Sequence, residues 1–207
     1  SQKERITTPK PKKSYTKVSW IPDFEKFKIK NYSKNMIRVY YRYVYDAAML
    51  TKVNVYLNDR KIPIKNLLDY SKCFGDGEVL QFKSKNCHVV LTPGSGNDFE
   101  HIAFTNGVFN KDGGVHVDAW SESIFRPLLA KVNKPKKPQL NIKDVKKFFR
   151  IFIDARIANP EFSSQSKTKM VACKNVLNCE FANRVINPIL KWNFISEVQE
   201  MNRLKDM

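Results

Sequence analysis

Ile102-Ala103-Phe104-Thr105-Asn106-Gly107, with Asp112-Gly113-Gly114-Val115-His116-Val117-Asp118 five residues further on, is the stretch on which the fold turns. His101 to Asn106 reads as a strand, and the paired glycines open a helix at about Val115. In that helix Val117, Trp120, Ile124 and Leu128 recur at spacings of three and four, which gives it one apolar face. Pro127 lies well inside it and costs roughly 3 kcal/mol in an ideal interior, which predicts a kink or break.

Upstream, Cys87 to Thr92 reads as a second strand, joined to the first through the turn Pro93-Gly94-Ser95-Gly96-Asn97-Asp98. Gly75-Asp76-Gly77 is the expected domain boundary, because composition and charge change there. Before it, Asn66 to Phe74 predicts a short helix. Lys52 to Ile64 predicts a hairpin turning at Asn58-Asp59-Arg60, with Val53, Val55 and Leu57 inward. Asn35 to Leu50 places Arg38, Arg42 and Asp46 four apart on one helical stripe, so helix outweighs its Tyr- and Val-rich composition. Tyr15 to Trp20 alternates as a strand would. Downstream, Asn141 to Lys147 predicts a short helix and Phe149 to Ile157 a strand ended by Asn159-Pro160. A polar loop, 162–169, follows. Two helices close the chain, roughly Asn175–Val185 and Ile189–Leu204, separated by Asn187-Pro188. The second carries Trp192, Ile195, Val198, Met201 and Leu204 as a stripe.

The 207 residues are 42% hydrophobic and 28% charged, enough apolar material for a real core. No apolar run approaches the eighteen or so residues of a membrane span. The four cysteines form no CxxC pair and there are three histidines, so neither a zinc site nor a disulfide framework is expected, and a reduced intracellular protein fits best. The chain starts at Ser1 without an initiator Met and stops within an expected helix, as a piece of something longer would. Its net charge of +17 points to a polyanionic partner. The excess is localised: residues 1–34 hold ten Lys and Arg against three acids, and 131–150 hold eight against one. Between them, Gly75 to Glu122 carries seven acids and three bases.

GxSxG, HExxH and Walker A motifs are all missing. Gly113-Gly114 could present N–H groups to an anion, though a structural role at the helix start is the better reading. His88, His101 and His116 lack metal spacing and read as packed or surface residues. Gln165-Ser166-Lys167 is more suggestive. A lysine ammonium suits a terminal phosphate and a glutamine amide can donate beside it, so on a loop the pair could sense a γ-phosphate. From spacing alone, a solvated polar loop is the commoner explanation.

Five landmarks together resemble the ATPase region of eukaryotic-type DNA topoisomerase II, a type IIA topoisomerase. They are Tyr15-Thr16-Lys17-Val18 with Pro22-Asp23-Phe24 and Phe27; Arg42-Tyr43-Val44-Tyr45-Asp46 followed by Val55-Tyr56-Leu57-Asn58; the stretch quoted at the outset; Phe152-Ile153 with Asn159-Pro160-Glu161-Phe162-Ser163-Ser164-Gln165-Ser166-Lys167; and Ile189-Leu190-Lys191-Trp192. They keep the family's order across nearly the whole chain.

The resemblance implies an α+β chain. Residues 1–76 would be the C-terminal part of a GHKL-type ATP-binding domain. Residues 78–207 would be a transducer domain of the ribosomal-protein-like α+β fold with long C-terminal helices. Gln165 and Lys167 match the family's γ-phosphate contacts, and Ser166 replaces its Thr while keeping a hydroxyl. Thr16 matches an adenine-side Thr. Lys134, Lys136 and Lys137 match a lysine-rich loop on double-stranded DNA. ATP and Mg2+ are the implied cofactors, with the catalytic Glu, the magnesium-holding Asn and the ATP lid upstream of this chain. The implied partners are DNA, the rest of the same polypeptide and a second copy in a homodimer, with no membrane. The implied location is the nucleus or a viral replication site, and the piece alone should be inactive. Two other functions stay open: a non-enzymatic basic nucleic-acid-binding protein, which fits the charge, and another GHKL ATPase of the mismatch-repair or chaperone type, which the resemblance implies would share a transducer-like domain.

Overall fold

The computed structural model describes residues 14–133, 140–172, 183–194, 196–198 and 200. The chain divides into two compact units, 1–40 and 41–207. In the first, residues 14–21 are irregular and exposed, not a strand, with Val18 77% and Trp20 71% exposed. Alternation alone cannot hold extended chain without a neighbouring strand to take its backbone hydrogen bonds. The Ser33 hydroxyl accepts from the Met36 N–H and starts helix α1, Lys34–Leu50, which runs on into the second unit.

In the second unit α1 does not keep its polar stripe in water. Asp46 is buried and accepts a hydrogen bond from the Tyr70 hydroxyl at 2.6 Å. Arg42 lies 3.5 Å from the same carboxylate and stacks over Phe109. Burial pushes the Asp46 carboxyl up, against the Tyr70 hydroxyl and Arg42, which pull it down.

Strands β1 (Tyr56–Leu57) and β2 (Arg60–Lys61) form the expected hairpin, with Asn58 and Asp59 both at positive φ, as a type I′ turn requires. Val53, expected inward, is 68% exposed, because the pairing begins only at Tyr56. Helix α2 (Leu67–Ser71) is capped by the Asn66 side chain and tightens into a 3-10 turn over Lys72–Phe74.

Next come β3 (Leu80–Lys83), β4 (Cys87–Pro93), β5 (Glu100–Thr105), β6 (Val108–Phe109), α3 (Val115–Val132), α4 (Ile142–Lys146) and β7 (Phe149–Ala155). The five strands form one sheet in the order β3-β4-β7-β5-β6, antiparallel except for the parallel pair β5 and β7. The turn 93–98 is therefore not a hairpin, because β7 lies between β4 and β5. The reason is in the composition of β7: Phe149, Ile151, Phe152 and Ile153 are all fully buried, so the strand must have both faces covered and takes the centre. Odd positions such as Leu91, Ile151 and Ile153 pack with α3. Val90, Phe104 and Phe152 pack with Met49, Leu67 and Tyr70 on the opposite face. Each large side chain so buried contributes about 1.5–3 kcal/mol. Arg150 pairs with Glu100 and donates to the Phe74 carbonyl at 3.0 Å, tying the residue before Gly75 to the sheet.

Helix α3 runs through Pro127 without the break that was one of the two expected outcomes, since Ile124, Phe125 and Leu128 around it are buried in the core. Asn133 and Leu140 exchange two hydrogen bonds, of 3.0 and 2.9 Å. Last are β8 (Glu161–Phe162), β9 (Met170–Ala172) and α5 (Asn183–Ile189). Helix α5 includes Pro188, where a break between the closing helices was expected. The first closing helix is described only in its last residues, and Ile195, Met201 and Leu204 of the stripe lie outside the described residues. Trp192 and Val198 of that stripe are buried.

Candidate functional site

Gln165, Ser166 and Lys167 sit at the tip of the loop joining β8 to β9, and all three are exposed. Pairing of β8 with β9 brings the two ends of the loop together, and the Ser163 N–H donates to the Lys169 carbonyl at 3.0 Å. Inside the loop the Lys167 N–H donates to the Ser164 carbonyl at 3.0 Å, and the Ser164 and Ser166 hydroxyls are 2.7 Å apart. Lys167 has φ 57°, the left-handed conformation that side-chain-bearing residues adopt only when held there. Its ammonium lies 5.8 Å from the centre of the Phe162 ring, a loose cation–π contact.

The loop stands on the stretch 105–114. The Asp112 N–H donates to the Thr168 carbonyl at 2.9 Å, and the Met170 N–H to the Gly113 carbonyl at 3.0 Å. Gly114 forms a parallel bridge with Met170, with φ 131° and no room for a side chain: a Cβ there would lie 2.0 Å from the Met170 carbonyl oxygen. The paired glycines thus serve backbone contact at the start of α3, the structural role expected of them. Asn110, fully buried, donates from Nδ2 to the Lys167 carbonyl at 2.8 Å and accepts at Oδ1 from the Thr105 hydroxyl at 2.6 Å. Neither Asn110 nor Thr105 stood out in the sequence. The one local signal was Asn106-Gly107, a type I′ pair that makes β5 and β6 a hairpin and delivers Asn110 beneath the loop.

None of the three histidines lies on the loop tip. His101 approaches the Lys111 carbonyl through Nε2 at 3.2 Å. His116 is fully buried, and desolvation, with a smaller contribution from the His101 charge, pushes its pKa down to about 4. Among the described residues no group of three or more His, Cys, Asp or Glu is placed to hold a metal, and no helix is long and apolar enough to cross a membrane.

The loop tip therefore carries Gln165 and Lys167 two residues apart, both exposed. Thr16 belongs to the first unit and is exposed there. Lys134, Lys136 and Lys137 lie outside the described residues. As chemistry, the loop tip offers an ammonium and an amide N–H pair, both donors, which fits a phosphate's acceptor oxygens.

Residues 53–205 match the family model described as DNA gyrase B. The chain is 33% identical over 208 residues to DNA topoisomerase 2 of Invertebrate iridescent virus 6, covering 95% of this chain and 18% of that protein. It is 28% identical to DNA topoisomerase 2 of Saccharomyces cerevisiae, covering 97% of this chain and 16% of that one. The solved ATPase region of Saccharomyces cerevisiae topoisomerase II superposes with a TM-score of 0.75 at 25% identity, over 90% of this chain and 49% of that one. This chain thus spans less than a fifth of the length of these two curated relatives.

Proposed function

The chain belongs to the DNA gyrase B family and corresponds to part of the ATPase region of its type IIA topoisomerase relatives, and from that premise we propose that it reports ATP state to the DNA gate of an ATP-dependent type II DNA topoisomerase. Residues 1–76 then form the end of the GHKL ATP-binding domain, with Thr16 on the adenine side. Residues 78–207 form the transducer. The observation that carries the reading is the Gln165-Ser166-Lys167 turn: two exposed donors on a backbone pinned to the start of α3.

ATP, when bound, supplies the terminal phosphate whose loss distinguishes the two states. Lys167 binds that phosphate as a point charge, and Gln165 donates a second hydrogen bond. With the phosphate gone, both side chains return to water and the transducer is released, so the differential contact biases a two-state domain arrangement. Mg2+ accompanies the nucleotide on residues outside this chain. Lys134, Lys136 and Lys137 neutralise duplex phosphates without reading bases. The complete protein acts as a homodimer, on DNA in the nucleus or at a viral replication site, and changes DNA topology by passing one duplex through another.

The test compares the complete native protein with Lys167→Ala in DNA-stimulated ATP hydrolysis and in decatenation of linked circles. Loss of one charge-assisted contact to the reacting phosphate predicts a fall of roughly 10- to 100-fold in turnover, with strand passage falling alongside. An unaffected variant removes Lys167 from the site. A wild-type protein that binds DNA but neither hydrolyses ATP nor unlinks circles would support the basic DNA-binding alternative instead.

A further inference from the structure

Lys167 is held in a backbone conformation it would not choose, and the loop around it is tied down mostly by backbone hydrogen bonds at its ends. The Lys167 N–H stays within the loop, on the Ser164 carbonyl, but the Lys167 carbonyl is held by a side chain. The Asn110 Nδ2 donates to the Lys167 carbonyl, and every other polar group of Asn110 is also engaged. Its N–H donates to the Ala103 carbonyl at 2.8 Å, its own carbonyl accepts from the Gly113 N–H at 3.0 Å, and its Oδ1 accepts from Thr105. Thr105 is itself fully buried at the end of β5, paired in register with Ala155 of β7. A carbonyl can only accept, so the Lys167 carbonyl fixes the amide with its nitrogen towards the loop, and the Thr105 hydroxyl then donates to the Oδ1 that this orientation turns towards it.

We propose that Asn110 is a positioning residue for the phosphate contact. It transmits the rigidity of the central sheet to the Lys167 backbone, so that the ammonium starts from one fixed Cα. This inference rests on the reading of Lys167 as the phosphate contact. Preorganisation of this kind removes the entropy of ordering the loop from the binding step.

Asn110→Asp tests it in the complete native protein. The substitution keeps the size and the acceptor for Thr105 but replaces the donor by an oxygen facing a carbonyl. Without nucleotide, tryptic cleavage after Lys167 should rise about tenfold, as expected from the loss of one buried hydrogen bond, with the melting of the whole protein little changed. With ATP, turnover should fall about as far, and the double variant Asn110→Asp/Lys167→Ala should be no slower than Lys167→Ala alone, because both act through one contact. Thr105→Val, which leaves the buried Asn110 Oδ1 without its donor and so loosens the side chain that holds Lys167, should move both readouts in the same direction, whereas Thr105→Ser should behave as wild type. It also stands in if Asn110→Asp fails to fold. Unchanged cleavage after Lys167 in both Asn110→Asp and Thr105→Val overturns the proposal, as does an additive double variant. If Lys167→Ala leaves turnover intact while Asn110→Asp still loosens the loop, the phosphate-contact reading has failed and the positioning role falls with it.

Discussion

His116 opens α3 with both ring nitrogens buried and no hydrogen-bond partner among the described residues. With a folded pKa of about 4 against 6.5 for the free side chain, the folded state prefers the neutral ring. Its contribution to stability is therefore complete above pH 6.5 and is lost as pH falls from 6.5 towards 4. The full window is worth on the order of 3 kcal/mol. Urea unfolding at about pH 7 and about pH 4.5, on either side of most of that window, should show this loss in wild type, and His116→Leu should make it shallower, leaving the part due to His88, which burial also pushes down. An equally steep fall in the variant would place the titrating group elsewhere. Only some of this was legible at residue scale. The sequence marks His116 as a non-ligand through its spacing, but depth of burial depends on what α3 packs against. Gln165 and Lys167 were legible as a donor pair, whereas Asn110 was not, because its partner lies 57 residues away.

At the scale of elements, the loop 163–169 depends on the contact between the start of α3 and β9. Gly114→Ala would drive a methyl group into the Met170 backbone and demand a positive φ of a residue that resists it. A loss of about 3–5 kcal/mol is expected, read as a lower urea midpoint, together with faster cleavage after Lys167. A variant as stable as wild type would show that the bridge does not anchor the loop. Helix α3 itself was legible from its 3.6 periodicity and its glycines. Its continuity through Pro127 was not, since a proline's local cost is known from sequence while the burial that offsets it is tertiary. The strands β6, β8 and β9 are two or three residues long, too short for alternation to register.

Across the whole molecule, charge sets the expected behaviour towards DNA. On the proposed reading, three phosphate contacts from Lys134, Lys136 and Lys137 would give a salt slope of about −2.7. Replacing all three by Ala in the complete protein should make the dependence of log affinity on log salt shallower by about that amount, without altering base preference. A slope that does not change would remove the loop from the DNA interface. The landmarks in their order, the basic blocks and the Gln165-Ser166-Lys167 turn were all present in the linear sequence, because each is a local pattern of residue types. The family and most of the longer elements followed from them. What only the tertiary structure decided is which distant segments meet: β7 between β4 and β5, Asp46 turned inward to Tyr70, and Asn110 beneath Lys167. Periodicity tells a segment that it has a face to bury, and the partner that covers it is chosen by packing the whole chain at once.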